Sequence, residues 1–315
     1  MNGSVESPGR RPAACRGRFA PSPTGRLHFG SLVAAVGSYL DARASGGNWL
    51  LRIEDIDRQR TAPGAADAIL RTLAGLAFEW DGEVLYQSRR LDAYRAALSQ
   101  LRDNGDIYPC ACSRREIAAH APAVGVDGAP VYPGTCRSGL PHGRDARSWR
   151  MLAPADEVAF EDRVQGTQRQ DVATAVGDFV LLRADGQFAY QLAVVVDDAA
   201  QGVNSIVRGA DLLDSTPRQI WLAQRLRLTV PAYAHLPLAS NAAGEKLSKQ
   251  TRARAIDASI GSPLLAAALE FLGHAVPADV RQAPLPEFWC WAIANWSITR
   301  VPARRSATLG QRLPP

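Results

Sequence analysis

The sequence predicts an α/β fold, because short apolar strands and helix-forming segments alternate near its amino end. Arg18-Phe19-Ala20 has the pattern of a strand, the segment after Phe29 that of a helix, and Asn48 to Asp55 that of an apolar strand ending in carboxylates. Strand, helix and strand in this order form the right-handed crossover unit of a parallel sheet. We therefore expect a Rossmann-like nucleotide-binding sheet, whose ligands bind beyond the carboxyl ends of the strands.

The later segments extend the same α/β pattern. They are two helices at Ala65 to Ala77 and Arg89 to Asn104, a strand at Val176 to Arg183, a hairpin turn at Asp185-Gly186, an apolar run from Phe188 to Val196, a last strand at Ser205 to Asp211 and a helix from Ser215. The expected organisation is a disordered leader (1–15), two catalytic halves (16–106 and 151–240) around an insertion (107–150), a loop and helical region (241–300) and a disordered tail (301–315).

Composition limits the class of protein. The 315 residues are 46% hydrophobic and 21% charged, which is enough for one large core or two modest ones. No stretch of eighteen apolar residues and no apolar signal core occurs, so we expect a cytoplasmic protein with no membrane partner. We also expect it to be a monomer. The net charge of +5 favours an anionic partner, and RNA is the first candidate.

Two short segments have the chemistry of a phosphate site. His28 and Gly30 stand at the start of the apolar helix that continues from Leu32, where backbone N–H groups attract phosphate. Far along the chain, Lys246 and Lys249 lie in a short polar segment, and their ammonium groups can follow charge that develops on a phosphoryl group. This combination points to adenylate formation, in which a carboxylate attacks the α-phosphate and pyrophosphate leaves.

A third group of residues indicates a metal site in the insertion. Cys110, Cys112 and Cys136 are close in sequence, and a small insertion with little apolar surface is commonly held together by a metal. Tetrahedral Zn²⁺ needs a fourth donor, and ligand chemistry alone leaves Tyr132, His120 and His142 as candidates, with histidine the usual choice. Ser113 and Glu116 form a capping box that predicts a short helix directly after the cysteine pair.

The segment from Arg18 to Gly25, followed by His28-x-Gly30 and later by Lys246-x-x-Lys249, resembles the glutamyl branch of the class I aminoacyl-tRNA synthetases. Glutamate carries two carboxylates and an ammonium, so its pocket needs fixed cations and an anion. The resemblance implies a glutamate site formed by Arg18, Phe19, Ala20, Pro21, Ser22, Glu54, Tyr190 and Arg208. It also implies an ATP site, with Mg²⁺ on the phosphates, formed by His28, Gly30, Ser31, Lys246, Ser248 and Lys249, of which His28, Lys246 and Lys249 would be catalytic.

The chain departs from the family pattern at three positions. The second histidine of the first motif is Ser31, and the methionine and final serine of the second motif are Leu247 and Gln250. Lys249, which contacts phosphate in the family, is kept. We therefore expect the site to remain active, with slower chemistry because of Ser31.

Only 65 residues follow Gln250 (315 − 250), too few for the anticodon-binding region of an ordinary glutamyl-tRNA synthetase. A shortened chain with a zinc-type insertion resembles the glutamyl-Q tRNA(Asp) synthetases, whose Cys-x-Cys and Tyr-x-x-x-Cys pattern implies Cys110, Cys112, Tyr132 and Cys136 as ligands of one structural Zn²⁺. The resemblance implies tRNA-independent activation of L-glutamate and its transfer to queuosine in the anticodon arm of tRNA(Asp). The alternatives are a minimal synthetase that charges a tRNA 3′ end and a non-catalytic zinc-containing RNA-binding protein.

Overall fold

The computed structural model describes residues 14–241 and 255–309, and these form the predicted mixed α/β fold. The strands are β1 (Arg16–Phe19), β2 (Asn48–Ile53), β3 (Leu85–Tyr86), β4 (Ile107–Cys110), β5 (Ser148–Met151), β6 (Val158–Asp162), β7 (Gly166–Gln170), β8 (Phe179–Leu182), β9 (Ser205–Gly209), β10 (Ala232–Leu236), β11 (Leu238–Ser240) and β12 (Ser306–Thr308). The helices are α1 (Phe29–Ala44), α2 (Ala65–Gly75), α3 (Leu91–Asp103), α4 (Arg114–His120), α5 (Val172–Ala175), α6 (Tyr190–Ala200), α7 (Thr216–Arg225), α8 (Ser262–Phe271), α9 (Ala278–Gln282) and α10 (Leu285–Asn295).

The strands near the candidate phosphate site belong to two sheets that meet edge to edge. One sheet has the order β1-β2-β3, and the other has the order β7-β6-β10-β9, in which β9, β10 and β6 are parallel. The sheets meet where the backbone N–H of Asn204 donates to the carbonyl of Arg16 at 3.1 Å. The carboxyl ends of β1, β2 and β9 therefore open on the same side, which is where ligands of parallel sheets bind.

Helix α1 lies across these strands because it is apolar around most of its circumference. Leu32, Val36 and Leu40 are fully buried, and Gly37 lets the helix approach Leu236, since a Cβ there would come within 2.5 Å of that side chain. Helices α8 and α10 cover the opposite face of α1 with their own apolar residues. The helix that begins the candidate phosphate site is therefore held rigidly by packing on both sides.

The insertion has its own small core. Buried Tyr108, Ile117 and Tyr132 pack with the cysteines 110 and 136, and Ser113 with Glu116 forms the predicted capping box at α4. At the base of the insertion, Arg137 Nε and Nη2 donate to the two carboxylate oxygens of Asp178 at 2.6 and 2.7 Å. This buried carboxylate fixes the insertion to the strand β8.

Several expectations differ from the structure. The run from Phe188 to Val196 forms most of helix α6, and the predicted hairpin is reduced to an isolated antiparallel bridge between Leu182 and Phe188. A continuous apolar run has no period that separates a buried helix from a buried strand. The tail was expected to be disordered from 301, but residues 306–308 form β12, which pairs with β11 in parallel. At the other end, Cys15 of the expected leader accepts a backbone hydrogen bond from Asn48 at 2.9 Å.

Among the described residues, no helix combines the length and the hydropathy that crossing a bilayer requires.

Candidate active site and metal site

His28 caps the amino end of α1. Its Nδ1 accepts a hydrogen bond from the backbone N–H of Ser31 at 3.3 Å, and its Nε2 lies 3.1 Å from the Ser31 hydroxyl. Nδ1 is then the acceptor and Nε2 carries the proton. Ser31, which replaces the second histidine of the motif, thus fixes the ring of the first. The N–H groups of the first turn, including Gly30, lie at the positive end of the helix dipole.

The chain returns to His28 directly after the lysine segment. Ala255 forms an antiparallel bridge with His28, and the backbone N–H of Ile256 donates to the carbonyl of Leu27 at 3.0 Å. Lys246, Ser248 and Lys249 lie outside the described residues. Ala255 follows Lys249 by six positions, so chain connectivity limits the distance between their Cα atoms to about 20 Å.

A buried cluster of charges lies at the carboxyl ends of β1 and β2. Arg18 Nε and Arg52 Nη2 both contact Oδ1 of Asp198, at 3.1 and 2.8 Å, and Arg52 Nη2 lies 3.4 Å from Oε1 of Glu54. The side chains of these four residues are at most 8% exposed. Two guanidinium groups and two carboxylates balance one another, and this pairing offsets part of the cost of burying them.

Arg18 pairs with Asp198, a partner that the sequence did not indicate. Burial alone would raise the pKa of Asp198, but Arg18 and Arg52 outweigh it and lower that pKa. Burial raises the pKa of Glu54, against the opposing effect of Arg52 and Arg18. Asp198 therefore holds Arg18 in place. The negative charge of Glu54 is less fully compensated by the two arginines.

Glu54 faces a small cavity between β2 and the start of α6. The cavity has a volume of about 150 Å³, and three residues of the predicted glutamate site, Ser22, Glu54 and Tyr190, line it. It is also lined by residues that the sequence did not indicate: Thr24, Ile56, Asp57, Arg60, Thr61, Gln87, Arg183, Phe188 and Ala189. Tyr190 begins α6, and burial together with the charge of Glu54 raises its pKa to about 12, so its hydroxyl stays protonated.

Arg208 lies at the end of β9 with one donor unused. Its Nε donates to Nε2 of His235 at 3.0 Å and its Nη2 donates to the hydroxyl of Thr216 at 2.8 Å. Its Nη1 is buried and has no hydrogen-bond partner among the described residues. A buried, unpartnered guanidinium N–H is costly, and a bound anion would satisfy it.

His235 is held neutral behind Arg208. Its Nδ1–H donates to Oδ2 of Asp162 at 2.6 Å, which leaves Nε2 as the acceptor for Arg208. Burial is the main cause that lowers the pKa of His235 to about 4, and the neighbouring Arg208 adds to it. Asp162 and His235 thus form a relay that orients Arg208, and no motif in the sequence indicates it.

Asp55 and Asp57, the other carboxylates after β2, are already engaged. Asp55 accepts hydrogen bonds from the backbone N–H and hydroxyl of Ser88 at 2.8 and 2.6 Å, so it caps the short 3-10 turn there. Asp57 forms ion pairs with Arg60 and Arg183 at 2.9 and 3.1 Å. Mg²⁺ would therefore arrive with the ATP phosphates, where it neutralises their charge.

The three predicted cysteines meet in the insertion. Their Sγ atoms lie within 4.8 Å of one another, and the Tyr132 hydroxyl is 3.4 Å from the Cys110 sulfur and 3.6 Å from the Cys112 sulfur. Cys112 and Cys136 sulfurs are 3.6 Å apart. Tetrahedral Zn²⁺ with its usual bond lengths separates two sulfurs by about 3.8 Å and a sulfur and an oxygen by about 3.5 Å. The four donors therefore fit a zinc site.

The surroundings of the cysteines support this fit. Arg150 donates from Nε to Cys110 Sγ at 3.3 Å and lies 3.9 Å above the Tyr132 ring. Burial would raise the pKa of Cys110, but hydrogen bonds from Tyr132 and Arg150 lower it to about 7. His120 and His142 are exposed and lie outside the sulfur cluster, and His120 bonds to the carbonyl of Glu116 at 2.9 Å. Zinc bound here would have a structural role.

The predicted glutamate residues are brought together only in part. Ser22, Glu54 and Tyr190 line the small cavity, whereas Arg18 and Arg208 do not line it but lie close enough to Tyr190 for their charges to lower its pKa, against the opposing effects of burial and Glu54. Phe19 is buried and packs in the core, where it stacks on Trp49, and its side chain therefore supports the site from behind. Ala20 and Pro21 continue from β1, and the Pro21 carbonyl accepts from the backbone N–H of Glu54 at 3.0 Å.

Comparisons with known proteins agree with this geometry. The family described as tRNA synthetases class I (E and Q), catalytic domain, matches residues 14–261. A glutamyl-Q tRNA(Asp) synthetase of Dechloromonas aromatica is 60% identical over 287 residues, which is 91% of this chain and 95% of that protein. The chain belongs to this class I tRNA synthetase family. It is an enzyme of the ligase class.

Other relatives give the same result. The glutamyl-Q tRNA(Asp) synthetase of Chromobacterium violaceum is 60% identical over 92% of this chain and 96% of its own length. Among solved structures, the glutamate-tRNA synthetase of Elizabethkingia anophelis superposes with a TM-score of 0.75 at 25% identity, covering 94% of this chain and 68% of that one. The enzyme thus shares the fold of glutamate-tRNA synthetases and the sequence of the glutamyl-Q family.

Proposed function

We propose that this enzyme activates L-glutamate with ATP in the absence of tRNA and transfers it to queuosine in the anticodon arm of tRNA(Asp). The observation that carries the amino-acid part is the buried Nη1 of Arg208, which has no partner among the described residues and is grouped with Arg18, Glu54 and Tyr190. The acceptor is taken from the relatives, which are named for it.

Glutamate complements these charges. A carboxylate of the substrate would accept from the free N–H of Arg208, and the fixed guanidinium of Arg18 adds a second positive charge. The ammonium would face the carboxylate of Glu54 and the hydroxyl of Tyr190 on the cavity wall. Ser22 and the Pro21 backbone would complete the wall, in keeping with the resemblance.

In the first step, an oxygen of the glutamate α-carboxylate attacks the α-phosphorus of ATP. The bond between that phosphorus and the bridging oxygen breaks, and pyrophosphate leaves with the electron pair. His28 and the first-turn N–H groups of α1 would hold the phosphates, and Lys246 and Lys249 would follow the charge on the leaving group. Gly30, Ser31 and Ser248 would complete this phosphate site, and the pairing of Ala255 with His28 supports bringing both motifs together.

In the second step, a hydroxyl group on the queuosine base attacks the carbonyl carbon of the adenylate. The bond between that carbon and the AMP oxygen breaks, AMP leaves with the electron pair, and the hydroxyl proton passes to solvent. Because the acceptor differs from the activated substrate, the two steps can be measured separately.

Glutamate-dependent exchange of pyrophosphate into ATP tests the first step. We expect exchange without tRNA, and then transfer of labelled glutamate to tRNA(Asp) that carries queuosine but not to the same tRNA without it. An exchange reaction that requires tRNA, or label found on a terminal ribose, would refute the proposal and favour a minimal synthetase. A chain that binds tRNA without exchange would favour the non-catalytic alternative.

Asp162→Asn tests the relay behind Arg208. Asp162 Oδ1 accepts from the backbone N–H groups of Val164, Gln165 and His235 at 3.0, 2.8 and 3.1 Å, so the Asn carbonyl would take this place and its amide would face His235 Nδ1. The proton of His235 would then move to Nε2 and oppose the Nε–H of Arg208. We expect the KM for glutamate to rise about tenfold, the loss of one hydrogen bond to a charged group, with the KM for ATP unchanged.

The matched control for this prediction is Asp41→Asn, which alters another buried carboxylate, paired with Arg163 at 2.7 Å. It should lower stability but leave both KM values unchanged. If Asp162→Asn raises the two KM values together, the relay serves general stability and does not orient Arg208.

A further inference from the structure

A second, larger depression adjoins the glutamate cavity. It has a volume of about 680 Å³ and lies between the 56–58 segment, helix α3 and the 182–188 turn. Ile56 and Phe188 line both spaces, so the depression, here called the α3 groove, lies directly beside the cavity. Its volume lies within the range of sites that take a nucleoside-sized molecule.

The floor of the α3 groove is apolar. Leu91 and Leu98 stand seven positions apart on one face of α3, and Leu182 closes the opposite wall. All three are only partly buried, although they pack against the core behind them. Apolar walls of this kind pack against the flat faces of a base that has been taken out of its stack.

The rim of the α3 groove is positive. Arg58 and Arg95 line it, and both are exposed. Arg58 forms no ion pair with any residue in the described ranges, whereas Arg95 pairs with Asp92, which is almost fully exposed. The acidic Asp185 on the rim is already matched by Arg183 at 2.7 Å. An apolar floor with arginines at the rim complements a base and its flanking phosphates.

We propose that the α3 groove binds the acceptor nucleotide of the RNA substrate, with the base on the leucine floor and the neighbouring phosphates at Arg58 and Arg95. This inference rests on the proposed function and adds the place where the acceptor is held. The reactive hydroxyl must reach the carbonyl of the bound adenylate, and the groove is suited to this because only the side chains of Ile56 and Phe188 are common to its wall and that of the glutamate cavity beside it.

The double variant Arg58→Glu/Arg95→Glu separates the two half reactions. Glutamate-dependent exchange without tRNA should stay within twofold of the unaltered enzyme, because neither arginine lines the glutamate cavity and, within residues 14–241 and 255–309, neither forms an ion pair with a residue assigned to glutamate or phosphate. Transfer of glutamate to tRNA that carries queuosine should fall by more than tenfold in kcat/KM. The slope of log KM for tRNA against log salt concentration should also decrease by about 1.5, as expected when two phosphate contacts are lost.

The matched control is Arg102→Glu/Arg169→Glu, which makes the same change in net charge at exposed arginines outside the groove. Arg102 and Arg169 are 55% and 65% exposed, compared with 63% for Arg95, and each is in an exposed ion pair.

Leu98→Ala tests the floor without changing charge and should raise the KM for tRNA severalfold. Circular dichroism and the exchange rate verify that each variant is folded.

The outcomes are distinguishable. If the unaltered enzyme transfers glutamate to queuosine and the groove variants match the control variant, the groove inference is wrong and the proposed function stands. Equal losses in both double variants would mean that only overall charge matters, which also overturns the inference. If the unaltered enzyme exchanges but never transfers to this tRNA, both the acceptor assignment and the groove inference fail.

Discussion

Replacement of Arg208 by alanine should lower kcat/KM for glutamate in pyrophosphate exchange by about two to three orders of magnitude. Arg208 is buried, and its free Nη1 is the donor that we assign to a substrate carboxylate. Removing one partner of a buried charge pair costs about 3–5 kcal/mol, and each 1.4 kcal/mol is tenfold. The KM for ATP should change little, because we assign the phosphates to the start of α1, where His28 caps the helix. Exchange rates over a matrix of glutamate and ATP concentrations measure both constants.

Arg218→Ala is the matched control for the arginine prediction. The Arg218 side chain is 8% exposed and pairs with Asp127 at 2.8 Å, so its loss also removes a buried guanidinium. We expect lower thermal stability and an unchanged KM for glutamate. If Arg208→Ala raises the KM for ATP as strongly as that for glutamate, the residue supports the fold or the nucleotide, and the glutamate pocket must be sought elsewhere.

Replacement of Cys136 by serine should remove zinc from the enzyme and loosen the insertion. Cys136 is fully buried, and its backbone N–H donates to the Tyr132 hydroxyl at 2.9 Å. The insertion core is small and consists in part of the candidate ligands themselves, so a bound metal would replace apolar burial as its main stabilising contact. We expect zinc to fall from about one atom per chain to less than about one tenth, since zinc binding and local folding are coupled. Proteases should then cleave within 107–150.

Cys290→Ser is the control, because Cys290 is exposed and remote from the sulfur cluster. It should retain full zinc content. Tyr132→Phe removes only the hydroxyl and should weaken zinc binding in a chelator competition, whereas His120→Ala/His142→Ala should not. Normal zinc binding in the tyrosine variant, together with loss in the histidine variant, would identify a histidine as the fourth ligand.

The sequence predicted those parts of the molecule that depend on neighbours along the chain. The first strand, helix α1 and the Ser113 capping box depend on local patterns of a few residues, and the structure confirms each of them. The α/β class was also predictable from the sequence, because strand, helix and strand in succession restrict the topology. The convergence of Cys110, Cys112 and Cys136 agrees with their sequence spacing.

The remaining contacts join residues far apart in the chain, and such contacts cannot be predicted from a single amino-acid sequence. Asp198 meets Arg18 across 180 positions, and Asp162 meets His235 across 73. Asp198 follows the apolar run from Phe188 to Val196, and no sequence pattern sets Asp162 apart. Helix α6 could not be separated from a strand, because four consecutive buried residues erase the amphipathic period.

The pairing of strand β12 affects where a purification tag can be placed on this enzyme. Leu309 donates its backbone N–H to the carbonyl of Ser240 at 2.9 Å, just before the chain enters the lysine segment at Asn241, while Ala255 fixes the far side of that segment to His28. Strand β12 and Ala255 therefore hold the described chain on either side of residues 242–254. We expect a purification tag fused close after Leu309 to disturb the pairing of β12 with β11, which lies just ahead of both lysines in the sequence.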